Sequence, residues 1–457
     1  MTPKKGMLLT LTLLILASLA CSLLPPRTPT PTPEPGLSVE DVVATSVAAT
    51  IIAGGGEAPT AEPAPSTEES APPTEDPAPA PSSFLQIAYV LDGDIWYWEE
   101  GGVPAQLTTS GDVVSVYLSD DAMVAAFIRQ YDWNNQEIYA VNTDGTNVRS
   151  LVTLADFATM VIGRDMISAV PSQIAWAPST HTLSFNTRMT FEGPGLFLGD
   201  DIRQVDADTG VISVLMTPGT AGDFYYSPDG SQIAITDEDS ISVVDADGTN
   251  RLDLLTFPIV ITYSEYNYYP PVSWSPDSSY LRGAIPAADP LASPPDPTTI
   301  WHLPADGSPA STLTTVPTVP FFQNAIRFSP DTTQIVYFTE VTPGAPPVLD
   351  LHLANADGSG DVVYVSGDLR FHGWSTDGIN FIYSNSGHTP RVGQLGDTPT
   401  FLPGISFLGG VSWVDETRFL YSNNPGAGWE LWLRELGSPG TLLVSTTGDS
   451  IRYDFVK

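Results

Sequence analysis

The sequence is poor in the side chains that build disulfides and soft-metal sites. Its 457 residues include one cysteine, Cys21, so an intramolecular disulfide and a cysteine-ligated zinc or iron–sulfur site are both excluded. The five histidines are widely separated, and none lies four residues from another, which excludes an HExxH metal site. We therefore expect no cofactor and no metal.

Known catalytic motifs are scarce as well. The chain contains no GxSxG serine motif and no SxDxGxTW box, which excludes a serine peptidase of the prolyl-oligopeptidase type and a sialidase-type repeat. Acidic residues are so numerous, however, that the sequence is compatible with a pair of catalytic carboxylates. Enzymatic activity is left open on this evidence, and a non-catalytic role is the preferred interpretation.

Basic residues are few compared with acidic ones. The chain has 53 acidic and 17 basic residues, a net charge of −36, and its only lysines are Lys4, Lys5 and Lys457. Such a charge repels phosphate backbones, so nucleic acid is not an expected partner. Cationic ligands fit the field better, and an acidic surface also keeps an exported protein soluble.

The longest apolar run lies at the N-terminus. Lys4 and Lys5 precede an apolar stretch over 7–16, and small residues lead to Cys21; the run is short for a membrane span. Residues 1–21 resemble a bacterial lipoprotein signal peptide, although Ser18 stands where that signal prefers leucine. The resemblance implies a lipidated Cys21 and an extracytoplasmic protein anchored to the bacterial cell membrane or cell surface. A secreted protein without lipid and an uncleaved anchor are the alternatives.

Residues 22–83 have the composition of a linker. The stretches 25–36 and 57–83 are rich in Pro, Thr, Ala, Glu and Ser and have no periodic apolar pattern. This composition favours an extended polyproline II spacer that buries no core. Between them, apolar residues four apart predict a short helix over 38–53.

The stretch 224–255 shows the repeating unit most clearly. Four short runs alternate apolar and polar residues, which predicts four β-strands, here called a to d. The SPDG turn at 227–230 separates strands a and b, and the DADGTN turn at 245–250 separates c and d. A single meander of this size buries too little surface to stand alone, so it needs neighbours.

Imperfect copies of this unit fill residues 84–457. The residue that ends strand a recurs every 39 to 58 residues, which suits one four-stranded blade per copy. Its positions are Leu118, Trp176, Tyr226, Trp274, Phe328, Trp374 and Trp413, and the aromatic ones are expected in the core between blades. Residues 85–109 supply strands b to d without an a, and 450–457 supply a lone strand a. The two fragments predict a closed ring of eight blades, with seven as the alternative.

The SPDG and DADGTN repeats resemble the TolB-like, WD40-like (PD40) β-propellers over roughly 85–457. The resemblance implies an all-β propeller of four-stranded antiparallel blades but names no activity, because propellers host many functions. TolB itself resembles a six-bladed propeller with an extra N-terminal domain, so its particular partners do not carry over. The DxDGxN turns could also be calcium loops, but local hydrogen bonding with glycine at positive φ is the preferred interpretation.

Loop length points to a functional face. In a four-stranded meander the b–c and d–a connections share one end of the ring, which we call the long-loop face because the long connections all belong to it. The predicted long loops are the b–c connections over 129–134, 190–200 and 285–299 and the d–a connections over 156–171, 257–271 and 316–324. Aromatic and charged residues there predict a binding surface for a protein or a glycan. The candidates are Arg129, Tyr131, Asp132, Trp133, Tyr263, Glu265, Tyr266, Tyr268, Tyr269, Phe321 and Phe322.

The sequence thus favours a lipid-anchored, monomeric β-propeller that binds a protein or glycan without catalysis. The alternative is an envelope-associated hydrolase or lyase that uses acidic residues of the same face.

Overall fold

The computed structural model describes residues 84–193, 197–292, 296–319, 325–342, 348–385, 389–406, 408–448 and 450–457. The predicted signal peptide, Cys21, the linker and its helix over 38–53 lie outside these residues. The described strands form eight antiparallel sheets, seven of four strands and one of five, and each is built on a four-stranded meander. The fold is an eight-bladed β-propeller, as the repeats predict.

The first four blades come from the N-terminal half of the ring. Blade 1 contains β1 (Gln86–Leu91), β2 (Asp94–Glu99) and β3 (Ala105–Gln106), and blade 2 contains β4 (Val113–Leu118), β5 (Val124–Asp132), β6 (Asn135–Asn142) and β7 (Arg149–Val152). Helix α1 (Leu154–Thr159) leads to blade 3, with β8 (Met166–Trp176), β9 (Thr182–Phe191), the short β10 (Phe197–Leu198), β11 (Ile202–Asp206) and β12 (Ile212–Met216). Blade 4 contains β13 (Asp223–Tyr226), β14 (Gln232–Thr236), β15 (Ser240–Asp245) and β16 (Leu252–Thr256).

The remaining blades follow the same order. Blade 5 contains β17 (Val272–Trp274), β18 (Tyr280–Ile285), β19 (Thr298–Pro304) and β20 (Ser311–Val316), and blade 6 contains β21 (Arg327–Phe328), β22 (Gln334–Glu340), β23 (Leu349–Asn355) and β24 (Val362–Gly367). Blade 7 contains β25 (Leu369–Trp374), β26 (Asn380–Asn385), β27 (Pro390–Gln394) and β28 (Thr400–Phe401), and blade 8 contains β29 (Leu408–Trp413), β30 (Arg418–Asn423), β31 (Trp429–Glu435) and β32 (Thr441–Thr446).

The C-terminal strand closes the ring. Strand β33 (Arg452–Val456) pairs antiparallel with β1, so that blade 1 reads β33, β1, β2, β3 from inside to outside. The side chain of Asp454 accepts a hydrogen bond from the backbone N–H of Leu118 in blade 2 at 2.8 Å. Strand β33 is thereby fixed to both the sheet it completes and the sheet beside it.

The innermost strands of neighbouring blades contact one another, as β33 does with β4, β4 with β8, and β25 with β29. Strand a therefore lines the inside of the ring, and the core lies between blades. In the described part of the chain, buried apolar side chains form one cluster at each of the eight blade junctions. The predicted anchor positions belong here: Trp176, Trp274, Trp374 and Trp413 are 8–9% exposed, whereas Tyr226 and Phe328 are half-buried.

The a–b turns are built alike in most blades. In blade 4 the Ser227 hydroxyl donates to Asp229 at 2.7 Å and accepts from the N–H of Gln232 at 3.0 Å. In the DADGTN turn Asp247 accepts hydrogen bonds from the N–H and the hydroxyl of Thr249, and Gly248 has φ +80°. The predicted local hydrogen bonding of these turns is confirmed.

Two connections differ from the sequence-based prediction. Residues Arg129 to Asp132 are not a loop, because β5 and β6 pair as far as Asp132 and Asn135. The connection predicted over 156–171 is shorter, since β8 begins at Met166 and passes Pro171 through a register shift. Helix α1, capped by a reciprocal Thr153–Asp156 pair, occupies its first part. The β5–β6 hairpin, strand β8 and helix α1 are all fixed by local hydrogen bonds, which the prediction of loops did not take into account.

Candidate functional site: the long-loop face

Antiparallel order places all b–c and d–a connections at one end of the ring, as predicted. The candidate residues of the sequence analysis fall into three groups on this face. One group is the β5–β6 hairpin of blade 2, the second is the d–a loop after blade 4, and the third is the pair of tyrosines that ends that loop. Phe321 and Phe322 lie outside the described residues.

The β5–β6 hairpin presents aromatic side chains on a rigid stem. Trp133 is 78% exposed at its tip, and Asp132 braces the turn by accepting from the N–H of Asn134 at 2.8 Å. Tyr131 is 47% exposed and donates to Glu137 at 2.7 Å. Arg129 supports this stem through a bidentate ion pair with Asp112, in which Nε and Nη2 lie 2.8 and 2.7 Å from the two carboxylate oxygens.

The ion pair fixes the charge state of both partners. The hydrogen bonds from Arg129 hold the pKa of Asp112 below its ordinary value, and the same contact raises the pKa of Arg129. The guanidinium also lies 4.9 Å from the ring centroid of Tyr139 and 5.5 Å from that of Tyr131. Arg129 is therefore a structural support, and the accessible surface of the hairpin consists of Tyr131, Asp132 and Trp133.

The d–a loop after blade 4 projects a second aromatic group. Tyr263 and Tyr266 are 59% and 39% exposed, and Glu265 between them is also exposed. The loop is tied to the b–c loop of blade 5, because the N–H of Ile261 donates to the carbonyl of Ala288 at 2.8 Å and the hydroxyl of Tyr263 donates to Asp289 at 2.6 Å. These aromatics are thus held outward by two loops that support each other.

The last two candidates, Tyr268 and Tyr269, are half-buried. Tyr269 donates to Asp200 at 2.8 Å, which connects the loop to the b–c connection of blade 3. Tyr268 is half-buried and lines a cavity between blades 5 and 6. Burial raises the pKa of both phenols well above the ordinary value, so both hydroxyls stay protonated at neutral pH. Tyr268 and Tyr269 therefore lie beneath the exposed residues of the long-loop face.

Sequence reasoning missed an acidic cluster beside Tyr269. Asp201 is wholly buried, and it accepts from the N–H of Thr187 and from Arg203 at 2.9 and 2.7 Å. Burial, reinforced by the carboxylate of Asp200, raises the pKa of Asp223 to about 6, and burial also raises the pKa of Asp200. The one available signal was the position of Asp223, an acidic residue at the start of an innermost strand.

Arg327 is a further unpredicted feature. It is exposed in the innermost strand of blade 6, and it lines two cavities of ≈ 120 Å³ and ≈ 270 Å³ at the blade 5–6 and blade 6–7 junctions. Burial chiefly raises the pKa of Tyr225 and Tyr268, while the charge of Arg327 lowers it. Tyr268 lines the first of these cavities together with Arg327.

Within the described residues, no group of three His, Cys, Asp or Glu side chains is arranged to hold a metal ion. In the same part of the chain, no helix has the length and apolar character needed to cross a membrane.

Comparison with solved structures finds similar propellers at low identity. The propeller domain of the trilobed protease from Pyrococcus furiosus is 11% identical with a TM-score of 0.43, covering 60% of this chain and 84% of that one. TolB from Acinetobacter baumannii is 17% identical with a TM-score of 0.31, covering 61% and 63%. Oligogalacturonate lyase from Vibrio parahaemolyticus is 10% identical with a TM-score of 0.43, covering 65% and 82%.

No protein-family model matches the sequence, and no curated protein is significantly similar to it. The similarity to TolB and the other solved structures extends to the fold alone, because propellers of one architecture carry unrelated functions.

Proposed function

We propose that this protein is a non-catalytic binding protein that engages a protein or glycan through its long-loop face. The observation that carries the proposal is the exposure of Trp133, Tyr263 and Tyr266 at the tips of supported loops on one end of the ring. Exposed aromatics with few rotatable bonds lose little entropy on binding and are common binding hot spots. Asp132 and Glu265 beside them supply hydrogen-bond acceptors for a partner.

The hydrolase or lyase alternative gains no support from this arrangement. Asp200 and Asp201 are each engaged by a side-chain donor, Tyr269 and Arg203, that holds the surrounding loops. Their contacts account for them as structural groups.

The test is capture by the purified full-length chain, with glycan arrays and with envelope proteins as probes. A Trp133→Ala, Tyr263→Ala, Tyr266→Ala variant should lose at least tenfold in apparent affinity, since each aromatic hot spot contributes about 1–2 kcal/mol. The matched control is Met123→Ala with Ile379→Ala, because both residues are exposed apolar side chains in a–b turns at the opposite end. Equal capture by the two variants would show that the long-loop face is not the binding surface.

We also propose that Cys21 carries lipid that anchors the protein to the bacterial membrane, so that the linker over 22–83 separates the propeller from it. The support is the signal-like sequence before the chain's only cysteine. Metabolic labelling with a palmitate analogue should label the wild type and leave Cys21→Ala unlabelled. Equal labelling of both would refute the anchor.

A further inference from the structure

Arg327 lacks the acidic partner that this chain gives to many of its other arginines. Arg129, Arg203 and Arg418 each form an ion pair with a carboxylate at 2.7–2.9 Å. No ion pair involves Arg327 among the described residues, although acidic residues outnumber basic ones by 53 to 17. Tyr268 and Asp296 line a cavity together with Arg327, but neither forms an ion pair with it. An exposed guanidinium left unpaired in so acidic a protein is available to an external anion.

The two cavities beside Arg327 have different linings. Polar and apolar atoms contribute about equally to the wall of the cavity of ≈ 120 Å³, and its apolar residues include Pro271, Ala284, Ala287 and Ile326. It is smaller than the roughly 300–1,000 Å³ of pockets that hold whole drug-sized ligands, so it suits one side chain. The cavity of ≈ 270 Å³ extends along the junction of blades 6 and 7 and is lined by Phe371, Gly373 and Trp374. Arg327 lies where the two meet.

Among the described residues, the blade 6–7 junction lacks an indole hydrogen bond that three other junctions have. The indole N–H of Trp274 donates to the carbonyl of Tyr225 in the preceding blade at 2.9 Å, and Trp176 and Trp413 make the same contact with their own preceding blades at 3.2 Å. The corresponding Nε1 of Trp374 is buried without an acceptor in the described residues. A β-bulge at His372 displaces this strand between Phe371 and Gly373. The unpaired indole N–H and the cavity occur at the same junction, which indicates that blades 6 and 7 are joined less tightly there.

We propose that Arg327 binds the C-terminal carboxylate of a partner polypeptide whose last side chain enters the cavity of ≈ 120 Å³. The guanidinium matches a carboxylate in a bidentate arrangement, and apolar residues such as Ala287 and Ile326 line the same cavity. A terminal carboxylate carries a side chain on the adjacent carbon, whereas the carbon next to an Asp or Glu carboxylate is a methylene that carries no further side chain. This inference rests on the proposed function, because loops of the long-loop face form the walls of the cavity.

The remaining groups of the site suit the same ligand. Ser273 lines the cavity and can donate a hydrogen bond to a carboxylate. Asp296 also lines the cavity but is not in ion-pair contact with Arg327, and it can accept the amide N–H of the last peptide bond. The net negative charge of the protein opposes an anion at long range. It is screened beyond about 8 Å at physiological salt, so the contact with Arg327 dominates locally.

The experiment measures fluorescence anisotropy of labelled pentapeptides with the purified full-length chain. The peptides Ala-Ala-Ala-Ala-Leu and Ala-Ala-Ala-Ala-Gly are each used as the free carboxylate and as the amide. The free leucine-terminated peptide should bind about tenfold or more tightly than its amide. Arg327→Gln should abolish that preference, and Arg327→Lys should retain part of it because a lysine keeps the charge without the bidentate geometry.

Two further variants serve as controls. Arg452→Gln removes an exposed arginine from the innermost strand of blade 1, away from the cavity, and should leave the preference unchanged. Ala287→Phe fills the cavity of ≈ 120 Å³ and should weaken binding of the leucine-terminated peptide while sparing that of the glycine-terminated one. Equal binding of acid and amide, or a preference that survives Arg327→Gln, overturns the inference.

Binding of oligogalacturonate that depends on Arg327, with no binding of any peptide, also overturns it, since the carboxylate would then belong to a sugar. The proposed function is judged separately. If Trp133, Tyr263 and Tyr266 are needed for capture while the peptides show no preference, only this inference fails. If capture does not depend on them, the proposed function itself fails.

Discussion

Ionised carboxylates in this propeller affect the stability of the fold in opposite directions. Asp229, in the blade 4 turn, accepts from Ser227 and Ser231, and these hydrogen bonds lower its pKa to about 2. Asp223 begins the innermost strand of the same blade, where burial and the Asp200 carboxylate raise its pKa to about 6. The first therefore stabilises the fold in its charged form, and the second opposes folding when it is charged.

We expect Asp223→Asn to stabilise the protein at neutral pH and to have little effect in acid. A raised folded-state pKa means that the contribution of Asp223 is favourable below its ordinary value of 3.8 and is lost as the pH rises through about 6. The charge-free variant should gain about 1–2 kcal/mol at pH 7.5 after allowance for solvent screening. Urea unfolding from pH 4 to 8 measures the difference. Asp253→Asn, an exposed site on the outer strand, is the control, and an Asp223→Asn gain independent of pH would contradict the assignment.

Neighbouring sheets are joined by tryptophans at the ends of the innermost strands. Trp274 and Trp374 occupy equivalent positions in blades 5 and 7 and are each 9% exposed, but only Trp274 donates its indole N–H to the preceding blade. Comparison of the two residues therefore separates the contribution of indole packing to stability from that of the indole hydrogen bond.

Replacement of each tryptophan by phenylalanine removes the same volume from equivalent positions. Trp274→Phe should destabilise the protein by about 1 kcal/mol more than Trp374→Phe, because only the first leaves a partly buried carbonyl, that of Tyr225, without its donor. Differential scanning calorimetry of both variants tests this. If the two melting temperatures fall equally, the hydrogen bond between blades contributes nothing measurable.

On the scale of the whole molecule, the ring is held closed by β33. Besides its pairing with β1, the adjoining Lys457 forms an ion pair with Asp415 of blade 8 at 2.9 Å, and Arg418 beside it contacts Glu100 of blade 1. Asp454 reaches forward to blade 2. The closing strand therefore touches three consecutive blades.

Deletion of residues 451–457 should lower the melting temperature sharply, because it exposes the edge of β1 and uncovers the cluster around Ile87 and Leu420. Asp454→Ala is the finer test. It should cost about 1–3 kcal/mol by leaving the N–H of Leu118 unpaired, and Asp454→Asn should restore most of the loss. An unchanged melting temperature after the deletion would show that the closure is not needed for stability.

The sequence predicted the ring and its closure because both follow from local patterns. Strand alternation, SPDG turns and two complementary end fragments are each visible within about ten residues. The pairing of Asp200 with Tyr269 joins residues 69 positions apart through two loops, and no local pattern reveals it. Arg327 illustrates the same limit, because the feature that sets it apart is the lack of an acidic side chain paired with it in the described part of the folded structure. At 129–132 the prediction failed because alternation of side chains continued into what was read as a loop.

The separation of β33 from β1 also determines when the molecule can be completed. Leu118 and Asp454 are 336 residues apart, so at a synthesis rate of about 5–20 residues per second the acceptor follows its donor by about 20–70 s. Blade 4 needs only neighbouring residues and can form early, whereas β1 waits with an open hydrogen-bonding edge. The nascent chain thus has a defined interval in which a chaperone or a second chain can occupy the place reserved for its own last strand.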